Sequence, residues 1–233
     1  MYLRQKIKQL VKSLLRPQKK SSTNESGFPD WSQVKGASAP PKKAKLKILM
    51  ATSLGSHSPT VSLEGLLTAA LKIRDCDVDL LLCDKALPAC LDCTILQIKN
   101  LDDFVLNGPS TERCDSCFDS GSKAMNHLGV PVLQYSNFLT SEERIWAKNT
   151  SRKIPKSDIQ SFKLDNLAVG EHAMAGCLRF FSRSDLEGER HGENVLRRYF
   201  EASLLTKIAI EKIMEKKKYD IAVFHHGIYV PHG

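Results

Sequence analysis

The stretch that most constrains this chain runs from Lys47 to Asp84, KILMATSLGSHSPTVSLEGLLTAALKIRDCDVDLLLCD. Lys47 to Ser53 is a short apolar run of the kind that forms a strand buried on both faces. Leu54, Gly55, Ser56 and His57 make a turn, after which Ser58 is placed to cap a helix with Pro59 at its first position. Leu63, Leu66, Leu67, Ala70 and Leu71 follow at helical spacing, so this face is expected to lie on a sheet. Val78 to Cys83 is apolar again. A strand, a helix and a strand joined this tightly form a right-handed βαβ crossover, and the fold class that follows is α/β with a parallel sheet and flanking helices. Open sheets of this class bind ligands at the carboxyl ends of their strands, which places the loop from Gly55 to His57 at a candidate site.

The rest of the chain continues the alternation. A helix is expected around Leu96 to Leu106, a turn at Asn107, Gly108 and Pro109, and a helix from about Phe118 to Leu128 closed by Gly129. Val130 to Tyr135 reads as a third strand, with Pro131 tolerated near its start. Thr140, Ser141, Glu142 and Glu143 form a capping box opening a helix that carries Ile145 and Trp146. Leu167 to Phe181 is helical, Arg183 to His191 is a polar break, and Leu196, Tyr199, Phe200, Leu204 and Ile208 mark a long helix. Asp220 to Phe224 reads as a fourth strand of the buried type, running into His225, His226 and Gly227. No helix follows to cover that strand, so the expectation is a fragment, or a first domain separated from a second. The domain itself is placed at residues 46–233.

Charge is divided unevenly. The formal net charge is +8, but residues 1–46 hold 11 Lys and Arg against 2 Asp and Glu, and the remainder holds 23 against 24. The domain is nearly neutral, so a basic groove for nucleic acid is not expected. Within residues 1–16, Leu3, Ile7, Leu10, Val11, Leu14 and Leu15 share one helical face, with Arg4, Lys6, Lys8, Lys12 and Arg16 around it. Such a helix can lie on an anionic membrane surface, or serve as a solvated or docked tail. Residues 17–45, rich in Ser, Pro, Lys and Gly, read as a flexible linker. There is no apolar run of membrane-spanning length and no signal-peptide pattern, so the expected location is cytoplasmic, peripheral at the inner membrane if the leader binds there.

Reduced cysteines follow from that location, and their spacing is informative. Cys90/Cys93 and Cys114/Cys117 are two C-x-x-C pairs separated by 20 residues, the spacing of a structural zinc site with four thiolates, each pair contributing from one tight turn. The alternative is a set of unligated thiols. Cys76, Cys83 and Cys177 read as core residues.

Four further groups could carry chemistry. His57 stands between Ser56 and the helix start, where a general base or a hydroxyl-binding group is well placed, although loop histidines are commonly plain surface residues. Glu64 on the same helix either turns back to that loop or faces solvent. His225 and His226 occupy the equivalent position after the last strand, and alternation along an extended segment lets one of them face a cleft; His226 is the candidate. Glu171, beside His172, and Arg179 two turns on share a helix, with a dipole complement as the plain explanation for Glu171. No phosphate-binding GxxxxGK[ST], no GxGxxG and no GxSxG is present, so no nucleotide cofactor held wholly by this chain is indicated.

Taken together, the βαβ opening, the segment CDKALPACLDC with CDSCF, the helix VGEHAMAGCLRFF and the ending DIAVFHHGIYVPHG resemble the N-terminal domain of GT-B glycosyltransferases of capsular and surface polysaccharide biosynthesis. The resemblance covers roughly residues 46–233, with a Cys-rich insertion at about 85–118. It implies two Rossmann-like domains facing across a cleft. The first binds a saccharide or lipid-linked acceptor, and the second, a C-terminal domain missing here, binds the nucleotide-sugar donor. Transfer would be metal-ion-independent, with His57, Glu171 or His226 as base, Gly55, Ser56, Arg179 and Gly227 toward substrate, and this chain alone inactive. A non-catalytic, zinc-stabilised binding module is the alternative.

Overall fold

Both faces of the first strand are covered, and this decides the architecture. In the computed structural model, which describes residues 28–232, Ile48 and Met50 point into one apolar core and Leu49 and Ala51 into another. A strand buried on both faces cannot alternate polar and apolar residues, and for that reason it reads as a continuous hydrophobic run.

The elements in order are β1 (Lys47–Ser53), α1 (Ser58–Ile73), β2 (Asp77–Leu82), α2 (Leu101–Asn107), α3 (Thr111–Met125), β3 (Val132–Gln134), α4 (Ser141–Lys153), α5 (Lys156–Ile159), α6 (Val169–Phe181), α7 (Gly192–Lys217) and β4 (Ile221–Val223). The four strands of the described residues form one parallel sheet in the order β3-β2-β1-β4. The chain moves outward from β1 through β2 to β3, then crosses back to add β4 on the other side of β1. The strand order therefore reverses between β1 and β4, and a crevice opens at their carboxyl ends.

One core, containing Trp31, Val61, Ala69, Ala124 and Met125, lies between the sheet and α1 and α3. The other holds Tyr135, Ala147, Phe180, Tyr199 and Phe200, under α4, α6 and α7. The capping box predicted at Thr140 is present: Thr140 Oγ1 accepts from the Glu143 amide, and Glu143 returns a bond to the Thr140 amide.

Several expectations are corrected. The cap of α1 is His57 rather than Ser58. Its leucine stripe does not lie on the sheet: Leu63 and Leu66 are 63% and 57% exposed, while Val61, Glu64, Gly65, Thr68 and Ala69 are buried. The helix is apolar on more than one side, and the side carrying the small residues is the buried one, with Gly65 against Trp31 of the segment ahead of β1. A Cβ on Gly65 would stand 2.6 Å from the Trp31 ring.

Helix α2 begins at Leu101, five residues after the expected start, and leaves Leu96 exposed. Helix α3 begins at Thr111, capped by the Ser110 hydroxyl, so Cys114 and Cys117 lie on a helix and not in a turn. Strand β4 is an edge strand with Ile221 and Ala222 exposed. The expected linker is packed over part of its described length, with Phe28, Trp31 and Ala37 buried against α1 and β1. The expected amphipathic helix at residues 1–16 lies outside the described residues.

Candidate functional site

The crevice between β1 and β4 gathers imidazoles. After β1 the chain turns through Leu54 to His57 into α1, and His57 Nδ1 lies 2.6 Å from Thr60 Oγ1 in the first turn of that helix. After β4 the chain brings His225 opposite. The same Thr60 hydroxyl is 3.5 Å from each ring nitrogen of His225, and the His57 and His225 ring centres are 6.1 Å apart. His226 stands beside His225 at 4.8 Å and meets the Tyr229 ring edge-on at 5.1 Å. His232 closes the group from below, its Nε2–H donating to the Thr52 carbonyl at 2.9 Å.

Burial sorts these rings. His57 and His225 are exposed, His226 is half-buried and His232 is buried. Burial, with His225 beside it, lowers the pKa of His226. For His232, burial outweighs the Thr52 hydrogen bond and brings the pKa to about 4, so this ring is neutral at physiological pH. The His226 Nδ1 and His232 Nδ1 atoms are buried without a hydrogen-bond partner among the described residues. Orphaned polar atoms grouped at the carboxyl edge of a sheet are what a polar ligand would satisfy.

Sharing His232 with the crevice is a largely apolar cavity of about 420 Å³, lined by Leu49, Ala51, Phe224 and Val230 together with His172, Gly227 and the paired Lys207 and Glu211. This volume is within the range of small-molecule sites. His172 is tied to the same region, its Nδ1–H donating to the Ile228 carbonyl at 2.9 Å.

The residues singled out in the sequence divide among several places. His57, His226 and Gly227 come together at the crevice, joined by His225. Glu171 is exposed in the first turn of α6, and among the described residues no hydrogen bond or ion pair ties it to the histidines; the neighbouring His172 lines the adjoining cavity instead. Arg179 donates to the Leu91 carbonyl and lies over the Tyr229 ring, 5.7 Å from its centre, so its guanidinium is engaged in holding two loops. Gly55 serves packing: a Cβ there would stand 2.1 Å from the Cys117 carbonyl and 2.4 Å from the Gly121 amide. Ser56 faces the cysteine side, lining a groove with Asp92 and Arg113.

Glu64 neither reaches the loop nor faces solvent. It is buried, and burial raises its pKa, the Thr52 hydroxyl beside it offsetting this only in part. Thr60 and His232 were not anticipated. Thr60 follows His57 at a spacing that puts both on one helical turn, a signal open to a closer reading. His232 carries no local signal, since its partner Thr52 is 180 residues away.

The C-x-x-C pairs do come together. Cys83, Cys90, Cys93, Cys114 and Cys117 all line one cavity of about 20 Å³ beneath Leu54. Cys90 Sγ and Cys93 Sγ are 3.8 Å apart. Burial pushes the thiols of Cys83 and Cys114 up to about 12, with neighbouring thiols adding to the effect, while the Ala86 and Leu87 amides partly oppose it at Cys83. Cys76 and Cys177 are buried in the two cores as expected, whereas Cys83 belongs to the cavity. Among the described residues, no three Cys, His, Asp or Glu side chains stand as a preformed metal-binding group.

No protein-family model, curated protein or solved structure matches this chain.

Proposed function

We propose that this chain is the acceptor-binding half of a GT-B-type glycosyltransferase of surface-polysaccharide synthesis. The observation that carries this reading is the crevice itself: imidazoles with unpaired ring nitrogens at the switch point of a parallel sheet, sharing His232 with a largely apolar cavity. The polar ring atoms suit saccharide hydroxyls. The apolar volume suits the hydrocarbon of a lipid-linked acceptor.

In this reading His57 is the base. A proton on Nδ1, donated to Thr60 Oγ1, fixes the tautomer and leaves Nε2 with its lone pair. Nε2 takes the acceptor hydroxyl's proton as that oxygen bonds to the anomeric carbon. The bond from that carbon to the donor's diphosphate breaks, and the nucleoside diphosphate departs with the electron pair. The donor is held by a second domain outside this chain. Attachment to an anionic membrane surface through residues 1–16 belongs to the same proposal and rests on their amphipathic sequence.

Binding of capsular oligosaccharides and of their lipid-linked forms to this chain, followed by calorimetry, tests the acceptor role. Affinity should fall about tenfold in His225→Ala, the loss of one or two hydrogen bonds. In the full-length gene product His57→Ala should lower kcat by about 10²-fold or more at little changed acceptor affinity. Absence of saccharide binding would sink the reading. Binding without transfer would favour a non-catalytic binding module.

A further inference from the structure

The turn Cys90 to Cys93 is held with unusual completeness. Its own closure is the Cys93 amide donating to the Cys90 carbonyl at 3.0 Å. From α7, the buried Tyr199 hydroxyl lies 3.0 Å from the Cys90 carbonyl and 3.2 Å from that of Cys93. From α6, Arg179 donates to the Leu91 carbonyl. From α3, Arg113 donates to the Asp92 carbonyl at 2.7 Å and pairs with its carboxylate at 2.9 Å. Each carbonyl of this four-residue turn thus has a donor in reach, Arg179 for Leu91, Arg113 for Asp92, and the single proton of the Tyr199 hydroxyl for Cys93 or Cys90, which the Cys93 amide also serves. A turn connecting two elements does not need this, but a ligand-bearing turn does, because its donor atoms must be fixed by surrounding contacts.

Arg113 also sets the second pair against the first, since it immediately precedes Cys114. Cys114 and Cys117 are at i and i+3 on α3 and share a helical face. The cavity between the pairs, about 20 Å³, holds one water-sized or ion-sized occupant and is too small for a multi-iron cluster. The 3.8 Å separation of Cys90 and Cys93 already equals one edge of a tetrahedron built from bonds of about 2.3 Å. The Gly55 amide donates to Cys117 Sγ at 3.3 Å, an N–H···S bond of the kind that supports a metal-bound thiolate.

We propose that the two C-x-x-C pairs hold one thiophilic divalent ion of the zinc class, and that this centre fixes the β1–α1 loop on which His57 stands. Cys114 and Cys117 close onto an ion already seated between Cys90 and Cys93, and the four thiol protons leave to solvent as the ion binds. Cys83 lines the same cavity but belongs to neither pair, and Cys83→Ser is expected to keep the ion. The loop is coupled through Gly55, whose amide bonds to one ligand sulfur and whose Cα packs against Gly121 one turn further along α3. The inference is independent of the sugar-transfer reading, because its readouts are metal content and loop order.

The full chain, purified without chelator, is analysed for metal, then stripped and titrated with Co²⁺ while its visible absorption is followed. The expected result is one ion per chain and the strong visible bands of tetrahedral thiolate-bound cobalt. Both are lost in Cys93→Ser and in Cys114→Ser and retained in Cys177→Ser. Hydrogen exchange of residues 54–57 should quicken about tenfold or more on stripping. If a serine variant fails to fold, the wild-type chain decides, since a mercurial that displaces thiolate-bound ions should release one metal ion per chain, read with a colorimetric chelator. A folded, metal-free protein that takes up no cobalt overturns the proposal. So do an iron–sulfur chromophore, cobalt binding that survives both serine substitutions, or loop exchange unaffected by stripping.

Discussion

His232 shows how much one buried ring can couple pH to stability. Its folded pKa, about 4, is below the ordinary 6.5, so between those values the unfolded chain binds a proton that the folded chain does not. Stability contributed by the neutral ring is therefore complete above pH 6.5, declines as pH falls, and has no further loss to make below about 4. The gap corresponds to about 3 kcal/mol. Urea unfolding at pH 7 and pH 4.5 should show the wild type losing most of this amount in excess of His232→Gln, whose amide can still donate to Thr52. Equal pH dependence of the two proteins would mean that the ring is hydrated in the fold. Glu64 works in the opposite direction. Its raised pKa makes the neutral acid the favoured buried form, so its contribution is lost as pH rises through the folded value.

At the scale of elements, the contact between the β1–α1 loop and α3 is the closest that the site depends on. Gly55 and Gly121 face each other with no room for a methyl: a Cβ on Gly121 would be 2.7 Å from the Gly55 Cα and 3.1 Å from the Leu82 side chain. Because the obstacle at Gly55 is backbone, it cannot swing aside, and Gly121→Ala should cost about 3 kcal/mol in urea unfolding. Helix α1 offers the opposite case. Leu66→Gln on its exposed stripe should shift stability by less than about 0.5 kcal/mol, while Val61→Asn, on the buried face, should cost about 3 kcal/mol. If the two substitutions cost the same, the assignment of the helix face fails. The leucine spacing revealed a helix here and misassigned its face. Periodicity reports that a stripe exists, whereas the choice between two stripes belongs to what lies opposite, and here that is Trp31 over Gly65.

For the molecule as a whole, the boundary of the folded unit lies earlier than charge and composition indicate. Phe28, Trp31 and Ala37 complete the core under α1, so a chain trimmed to begin at residue 46 should melt well below one beginning at residue 28. Trp31→Ala alone should account for about 3–5 kcal/mol of the difference. Unchanged melting on trimming would show the Trp31 packing to be dispensable.

The local parts of this protein were legible without a structure. The βαβ opening, the capping box at Thr140, the long helix carrying Leu196 to Ile208 and the two C-x-x-C pairs each depend on residues within a turn or two of one another, and sequence spacing records such relations directly. The parallel sheet followed from the order of those elements. What only the tertiary structure decided are the relations between distant segments. These are the reversal of strand order that opens the crevice, the meeting of His57 with His225, the burial of the Glu64 carboxyl beside Thr52, and the convergence of five thiols on one cavity. Each needs chain separated by tens to hundreds of residues to be brought within a few ångströms, and that proximity is set by packing of the whole sheet and its helices, which no local pattern encodes.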